Sequence, residues 1–152
     1  MSYEQLLLEH DQINRTLARL LRLTEAAVPD VPAVSGALSQ LAAQLLDHLA
    51  HEDSTLYPKM IQSKVGQVAS IARQFFDEFE EMTADCKTYL TEWLPDCIEG
   101  DWEGFRRDTA AMAARLQARV RAENSVLYSA ALNHGLIALR ASAIAARATP
   151  AG

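Results

Sequence analysis

Apolar residues recur at helical spacing along four stretches of the chain, with polar residues between them. The first stripe consists of Leu6, Ile13, Leu17 and Leu20. Because apolar residues at this spacing share one face of an α-helix, the stripe predicts a helix over residues 2–26. Ser2 followed by Gln5 is typical of a helix start. The prolines within residues 28–32 end this helix, because proline cannot continue its hydrogen bonding.

Three further stripes predict helices over residues 32–60, 64–93 and 101–133. The second stripe consists of Leu38, Leu41, Leu45, Leu49 and Leu56, the third of Val68, Ala72, Phe75, Phe76, Phe79, Met82, Cys86 and Tyr89, and the fourth of Phe105, Met112, Leu116, Glu123, Val126 and Leu127. Asp101 is the predicted N-cap of the fourth helix, and Gly135 marks its end.

Four long helices with short links favour an all-α fold, an up-down-up-down four-helix bundle over residues 1–135. Residues 136–152 are Ala-rich. They predict a short C-terminal fifth helix as far as residue 148, followed by a disordered tail.

Composition narrows the class of protein. The chain has 152 residues, 49% of them hydrophobic, which suits one domain with a sizeable core. Its net charge of -6 argues against a nucleic-acid-binding surface, since phosphates require a basic one. The sequence shows no signal-peptide pattern and no apolar run long enough to span a membrane. Cys86 and Cys97 form no metal motif. We therefore expect a cytoplasmic protein with reduced thiols and no membrane or nucleic-acid partner.

The second helical hairpin repeats the first. The segment that begins at His48 and contains Glu52, Ser54 and Leu56-Tyr57 returns from Arg119 onward with Glu123, Ser125 and Leu127-Tyr128. The glutamate, the serine and the leucine–tyrosine pair are unchanged, whereas Arg119 stands in the place of His48. On the preceding helix of each hairpin, Phe79 stands in the place of His10. The two hairpins therefore share a design but differ at two pairs of core positions.

The repeat places polar side chains on apolar faces. His48 and Glu52 lie one helical turn apart on the second helix, and Glu123 lies on the fourth. Buried carboxylates are costly unless a cation faces them. A metal ion, Arg119 or a protonated histidine such as His10 would each supply the positive charge. A guanidinium can grip two carboxylates at once, and together with one protonated histidine it would neutralise both glutamates without a metal. A divalent ion with neutral histidines would instead leave one excess positive charge in the core, which is less favourable.

These motifs resemble the hemerythrin-like family, the HHE cation-binding domains, over residues 3–135. The segments that carry the resemblance are Glu9-His10-Asp11, His48-Leu49-Ala50-His51-Glu52-Asp53, Leu56-Tyr57-Pro58, Glu78-Phe79-Glu80-Glu81-Met82, Glu123-Asn124 and Leu127-Tyr128. The resemblance implies a di-iron box built from histidines and two bridging carboxylates. The residues that match the family's ligands are His10, His48, Glu52 and Glu123. The second iron would require histidines where this chain has Phe79 and Arg119.

Two interpretations of this centre follow. In the leading one, Phe79 fills the volume of a lost ligand, Arg119 supplies the cation, and no cofactor binds. The protein is then a non-enzymatic binding or regulatory module with a degenerate metal centre. In the alternative, one iron or zinc ion is bound and the protein is a sensor or small-ligand binder. The metal ligands in that case are His10, His48, Glu52 and Glu123.

A third hypothesis is an oligomerising scaffold, with an unknown protein partner or a second copy of the chain. Its contact would be the apolar part of the C-terminal segment, Leu136, Ile137, Leu139 and Ile144.

Other polar and aromatic residues have simpler explanations. His51 is predicted to be a half-exposed surface histidine, and His134 suits the partial negative charge at a helix C-terminus. Tyr57 and Tyr128 occupy equivalent positions. We expect core aromatics whose hydroxyls reach a partner, with a buried glutamate across the bundle among the candidates.

Overall fold

Seven α-helices and two π-helical segments follow one another along residues 1–140, the part of the chain that this computed structural model describes. The helices are α1 (Tyr3–Leu23), α2 (Val31–His51), α3 (Tyr57–Ile61), α4 (Gly66–Glu92), α5 (Pro95–Gly100), α6 (Trp102–Ala122) and α7 (Tyr128–Asn133). The segments π1 (Glu52–Leu56) and π2 (Glu123–Leu127) join α2 to α3 and α6 to α7 without a break. Four long helical rods result, which confirms the predicted all-α bundle.

Polar caps fix the ends of these helices. Ser2 and Asp101 each accept a hydrogen bond from the backbone N–H three residues on, at 3.2 and 2.9 Å. Such a bond satisfies an amide that the helix itself leaves unpaired. At the end of α7, Gly135 adopts a φ of 69°, in the left-handed region that glycine enters without strain. The predicted starts of α1 and α6 and the predicted end of α7 are therefore confirmed.

The buried apolar residues form two clusters, one toward each end of the bundle. The first includes Ile13, Leu17, Leu41, Leu45, Leu49, Phe105, Met112 and Leu116. The second includes Leu6, Leu56, Tyr57, Met60, Val68, Leu127, Tyr128 and Ala131. On three of the four rods buried ionisable residues, namely His10, His48, Glu52, Arg119 and Glu123, lie between a member of one cluster and a member of the other. A polar layer thus separates two apolar ones.

Two predicted core residues are instead exposed. Phe76 is 40% exposed and Val126 is 44% exposed. Neighbouring residues on an α-helix point about 100° apart, so Phe75 and Phe76 cannot both face the core, and Phe75 takes that position. Val126 lies in π2, whose wider turn departs from the α-helical register used for the prediction.

The segment after α7 also differs from the prediction. Residues 136–140 are not helical; the carbonyls of Ala138 and Leu139 accept hydrogen bonds from the amides of Tyr3 and Glu4, at 2.8 and 3.1 Å. These contacts hold the segment against the start of α1. The remainder of the predicted fifth helix and the predicted tail lie outside the described residues.

The connection between α4 and α6 contains a helix that the sequence did not predict. This helix, α5, includes Cys97, which remains exposed. Trp102, at the start of α6, donates from its indole N–H to the carbonyl of Ala26 at 2.9 Å, tying this end of the bundle together. Within residues 1–140, every helix is too short or too polar to cross a lipid bilayer.

Candidate metal centre

Each half of the molecule places its glutamate in the same way. Glu52 begins π1 and Glu123 begins π2, and in each segment the amide of the following tyrosine, Tyr57 or Tyr128, donates to the glutamate's carbonyl. This bond spans five residues rather than the four of an α-helix. The wider turn fixes each glutamate relative to its tyrosine, and π segments of this kind are frequent at functional sites.

Four side chains with metal-binding atoms converge in the polar layer. They are His10 of α1, His48 of α2, Glu52 of π1 and Glu123 of π2, and one ligand atom from each lies within 4.8 Å of the others. None is more than 2% exposed. His10 Nε2 lies 3.2 Å from Glu123 Oε1, and His48 Nε2 lies 2.7 Å from Glu52 Oε1. The structure therefore brings together the four residues singled out in the sequence.

Both histidine rings are oriented by hydrogen bonds on the side that faces away from the centre. The Nδ1 of His10 lies 2.6 Å from Asn124 Oδ1, and the Nδ1 of His48 lies 2.7 Å from Glu9 Oε1. Both partner oxygens are acceptors, so each Nδ1 donates a hydrogen bond to one of them, and the Nε2 of each ring faces the centre. Metal-binding histidines are characteristically oriented by such a bond on the opposite ring nitrogen.

The two tyrosines donate crosswise between the hairpins. Tyr57 donates to Glu123 Oε2 at 2.9 Å, and Tyr128 donates to Glu52 Oε2 at 3.2 Å. Burial raises the pKa of both phenols, and the nearby carboxylates raise it further. Both hydroxyls therefore stay protonated as donors. This geometry agrees with the expectation that each tyrosine reaches a buried glutamate across the bundle.

Arg119 occupies the second-hairpin side of the centre. Its side chain is 4% exposed, and one guanidinium nitrogen lies 3.5 Å from Glu123 Oε2 and 3.7 Å from Glu52 Oε1. Another donates to Thr83 Oγ1 at 2.7 Å. The guanidinium carbon lies 5.2 Å from the centre of the Phe79 ring, a cation–π distance. Phe79 and Arg119 thus face each other, as the repeat predicted, although Phe79 is only partly buried.

The two glutamates differ in their electrostatic environment. Burial alone would raise both pKa values, but for Glu123 the hydrogen bond with His10 and the charge of Arg119 lower the pKa to about 2. For Glu52, burial and the negative charge of Glu123 together raise the pKa well above its usual range. Arg119 stays charged, because both glutamates raise its pKa against the effect of burial. Without a metal, burial and the charge of Glu123 therefore favour a proton on Glu52 rather than on Glu123.

Tyr128 lies between three of the ligands of the centre. The single hydroxyl proton of Tyr128 faces His10 Nε2 at 2.9 Å, His48 Nε2 at 3.3 Å and Glu52 Oε2 at 3.2 Å. Glu52 Oε1 is buried and, among the described residues, has no hydrogen-bond partner in proper alignment, despite lying 2.7 Å from His48 Nε2. Buried carboxylates and imidazoles that converge in this way favour a cation between them. Two imidazoles and two carboxylates suit divalent iron or zinc.

Several residues that shape the centre were not identified from the sequence. Asn124 and Glu9 stand beside Glu123 and His10 in the quoted motifs, yet their roles depend on pairing across helices. Nothing in the sequence indicates that Thr83 binds Arg119. His51, 3.6 Å from Glu9, is partly exposed, as expected of a surface histidine, and lies outside the group of four. His134 is exposed beyond the end of α7.

Comparison with known proteins agrees with this geometry. Searches of curated proteins and of solved structures gave no significant match. The family model described as the hemerythrin HHE cation-binding domain matches residues 1–131. That range contains all four converging ligands, Arg119 and both π segments. The chain therefore belongs to the hemerythrin HHE cation-binding domain family.

Proposed function

We propose that this protein binds one divalent metal ion, iron or zinc, and acts as a non-enzymatic sensing or small-ligand-binding module. The observation that carries the proposal is the convergence of four buried ligands, one of whose oxygens, Glu52 Oε1, has no hydrogen-bond partner among residues 1–140. The proposed ligands are His10, His48, Glu52 and Glu123. This choice favours the alternative interpretation of the sequence over the leading metal-free one.

One ion rather than two follows from the difference between the hairpins. Where the first hairpin offers two imidazoles, the second offers Phe79 and Arg119, and neither side chain is a metal ligand. Arg119 also places a fixed positive charge beside both carboxylates. A second dication would therefore meet repulsion as well as missing ligands.

The residues around the ion have separate tasks. Asn124 and Glu9 orient the two imidazoles, Tyr57 and Tyr128 hold the carboxylates, and Arg119 balances charge. A metal that accepts more than four ligands would keep a coordination position for a small molecule. The protein groups thus build a rigid, buried binding site, which suits a sensing or binding role.

The second candidate is a metal-free regulatory module, and two observations favour it. Arg119 already contacts both glutamates, and the raised pKa of Glu52 favours its neutral form. The buried charges of Arg119 and Glu123 then cancel without an ion. In this case the polar layer would be purely structural, and function would reside in a protein partner or in self-association.

Metal titration separates the two candidates. We expect the apo-protein to bind zinc, and iron(II) under anaerobic conditions, in calorimetry. Replacing His48 with Gln should weaken binding at least about tenfold, as should Glu9→Ala, which removes the acceptor that orients His48. His134→Gln is the matched control, since His134 is exposed and distant in sequence from the ligands. Absence of metal uptake by the folded wild-type protein would support the metal-free candidate.

A further inference from the structure

The hydroxyl oxygen of Tyr128 lies among the proposed metal ligands. It is 2.9 Å from Nε2 of His10 and 3.3 Å from Nε2 of His48, the two imidazole nitrogens that face the centre. It is also 3.2 Å from Oε2 of Glu52. One oxygen thus contacts the side chains of three of the four proposed ligands at once.

These distances match the spacing of neighbouring ligands around a single ion. Nitrogen and oxygen ligands lie roughly 2.0–2.2 Å from zinc, so two ligands at right angles to each other are about 3 Å apart. The Tyr128 oxygen has about this separation from each of its three neighbours. An ion held by these neighbours would therefore have the Tyr128 oxygen within bonding reach.

Packing holds the ring of Tyr128 in this position. Its amide donates to the carbonyl of Glu123, the bond that closes the wide turn of π2. Its side chain is fully buried, and its ring stacks on that of His10 with ring centres 5.0 Å apart. The oxygen is therefore directed at the two histidines by the fold itself, and no large movement is required for it to reach an ion there.

The charge of the centre favours an anionic fifth ligand. A divalent ion, Arg119 and two ionised glutamates together leave one excess positive charge in a buried layer. Such an uncompensated charge is costly in the interior. A phenolate at Tyr128 would cancel it, because a bound cation replaces the hydroxyl proton that the residue keeps in the metal-free protein. A tyrosine phenolate is an established ligand of iron.

We propose that Tyr128 is a fifth ligand of the ion and binds it through its phenolate oxygen. On binding, the O–H bond breaks, the proton passes to solvent, and a lone pair of the oxygen forms the bond to the ion. This inference rests on the proposed single-metal site and adds one residue to its four ligands. A six-coordinate ion would still keep one position for a small molecule.

Tyr57 is the matched control, because the repeat gives it the equivalent position after π1. Its hydroxyl donates to Glu123 Oε2 at 2.9 Å, so it too contacts a proposed ligand. Among residues 1–140, however, it makes no hydrogen bond to either histidine, and it borders a cleft together with Arg119. The two tyrosines therefore share burial and a bond to a glutamate, and they differ in their distance from the imidazoles.

Visible and resonance Raman spectroscopy of the iron(III) form of the full-length chain test the proposal. The protein is loaded anaerobically with iron(II), freed of excess metal, analysed for iron, and oxidised with one equivalent of ferricyanide. We expect a broad phenolate-to-iron(III) charge-transfer band and enhanced phenolate ring vibrations. Tyr128→Phe should lose both signals while it retains iron on the other four ligands. Tyr57→Phe should keep both signals.

A second measurement avoids any substitution of Tyr128. Ring-deuterated tyrosine, incorporated into the wild-type chain, should shift the enhanced Raman bands to lower frequency. Together with retention of the bands in Tyr57→Phe, this shift would identify Tyr128 even if Tyr128→Phe does not fold, since these two tyrosines are the ones whose hydroxyls reach the centre within residues 1–140.

Each contrary outcome has a separate meaning. Iron bound without a phenolate band would overturn the ligand role of Tyr128 and leave the proposed function intact. A band that persists in Tyr128→Phe and disappears in Tyr57→Phe would assign the ligand to Tyr57 and would also overturn the inference. Failure of the folded wild type to bind iron would overturn the proposed function together with the fifth ligand.

Discussion

The two hairpins of this bundle have the same architecture and different chemistry. Both carry a buried glutamate at the start of a π segment and a tyrosine that donates to the other hairpin's glutamate. The first hairpin adds two histidines whose Nε2 atoms face the centre. The second adds Phe79 and an arginine, Arg119, that contacts both carboxylates. The shared scaffold therefore positions the two buried glutamates, and the two hairpins surround them with different side chains.

This difference places charge and volume, in Arg119 and Phe79, at the positions where the first hairpin has its two histidines. Arg119 brings the positive charge, and Phe79 supports its guanidinium while filling space with carbon. The first hairpin has no such cation of its own and so requires a metal ion or an extra proton. The raised pKa of Glu52 is the sign of that unmet requirement, since Glu123 already has the hydrogen bond of His10 and the charge of Arg119.

Removal of Arg119 should have the largest effect. In the presence of a chelator, Arg119→Ala should lower the free energy of unfolding by about 3–5 kcal/mol, because it leaves buried carboxylates without their cation. Arg119→Leu combined with Glu123→Gln should recover part of the loss, since it also removes a buried charge. Urea denaturation measures both. Arg121→Ala is the matched control on α6, because Arg121 is exposed, and should change stability by less than about 0.5 kcal/mol. An Arg119→Ala protein as stable as this control would show that the guanidinium does not compensate the carboxylates.

Making the hairpins alike is the second test. Phe79→His with Arg119→His would give the second hairpin its two imidazoles on side chains that face each other. The double variant should bind a second metal ion and gain about 2.7 kcal/mol of stability when that ion is present at a hundred times its Kd. Elemental analysis and thermal unfolding measure this. Either single variant should bind the second metal ion weakly, because it supplies only half of the new nitrogen ligands. A folded double variant that takes up no additional metal under reducing conditions would show that the two positions do not form a metal site.

Removing the hydroxyl of either crosswise tyrosine should have a smaller effect on stability, and the two effects should differ. Tyr57→Phe removes a 2.9 Å hydrogen bond to Glu123, which is ionised, and should cost about 2 kcal/mol in the metal-free protein. Tyr128→Phe removes a longer bond to Glu52, which is protonated there, and should cost about 1 kcal/mol. Denaturation of the two variants side by side measures the difference. Equal costs would mean that the two carboxyl groups share charge evenly.

The smallest effect concerns the proton on Glu52. A carboxyl group whose pKa is raised by folding stabilises the protein fully below its unfolded pKa, and this contribution is lost as pH rises toward the folded value. Metal-free wild type should therefore lose stability above the ordinary carboxyl range. Glu52→Gln cannot titrate, so its unfolding midpoint should vary less between pH 5 and 8, while stability at neutral pH changes by about 1 kcal/mol. A variant with the same pH dependence as wild type would assign that proton elsewhere.

The sequence predicted the fold well, because long amphipathic stripes and caps such as Asp101 depend on local spacing. It also predicted His10, His48, Glu52 and Glu123, since each interrupts an apolar stripe and a family resemblance aligns them. The roles of Asn124 and Glu9 could not be predicted from the sequence. Each of them binds a histidine of another helix, and only the packed bundle defines that pairing.

The errors in predicting which residues face the core have a different physical origin. The two π segments shift the face of the following residues, and no residue within 52–56 or 123–127 marks that change when the sequence is examined alone. An uninterrupted α-helical register therefore predicts Val126 in the core, whereas the structure exposes it. The segment at 136–140 has helical composition, but its carbonyls pair with the start of α1, a contact between distant parts of the chain. Local propensity is overridden there by tertiary structure.

The number of metal ions per chain tests the central claim most directly. The purified protein is loaded anaerobically with iron(II), freed of excess metal, and measured by elemental analysis against protein concentration. Because the first hairpin retains its imidazoles and the second carries Arg119, we predict one iron per chain and no absorption from an oxo-bridged iron pair after exposure to air. Two irons per chain would contradict the replacement of the second metal by Arg119, and none would contradict the metal site at His10 and His48.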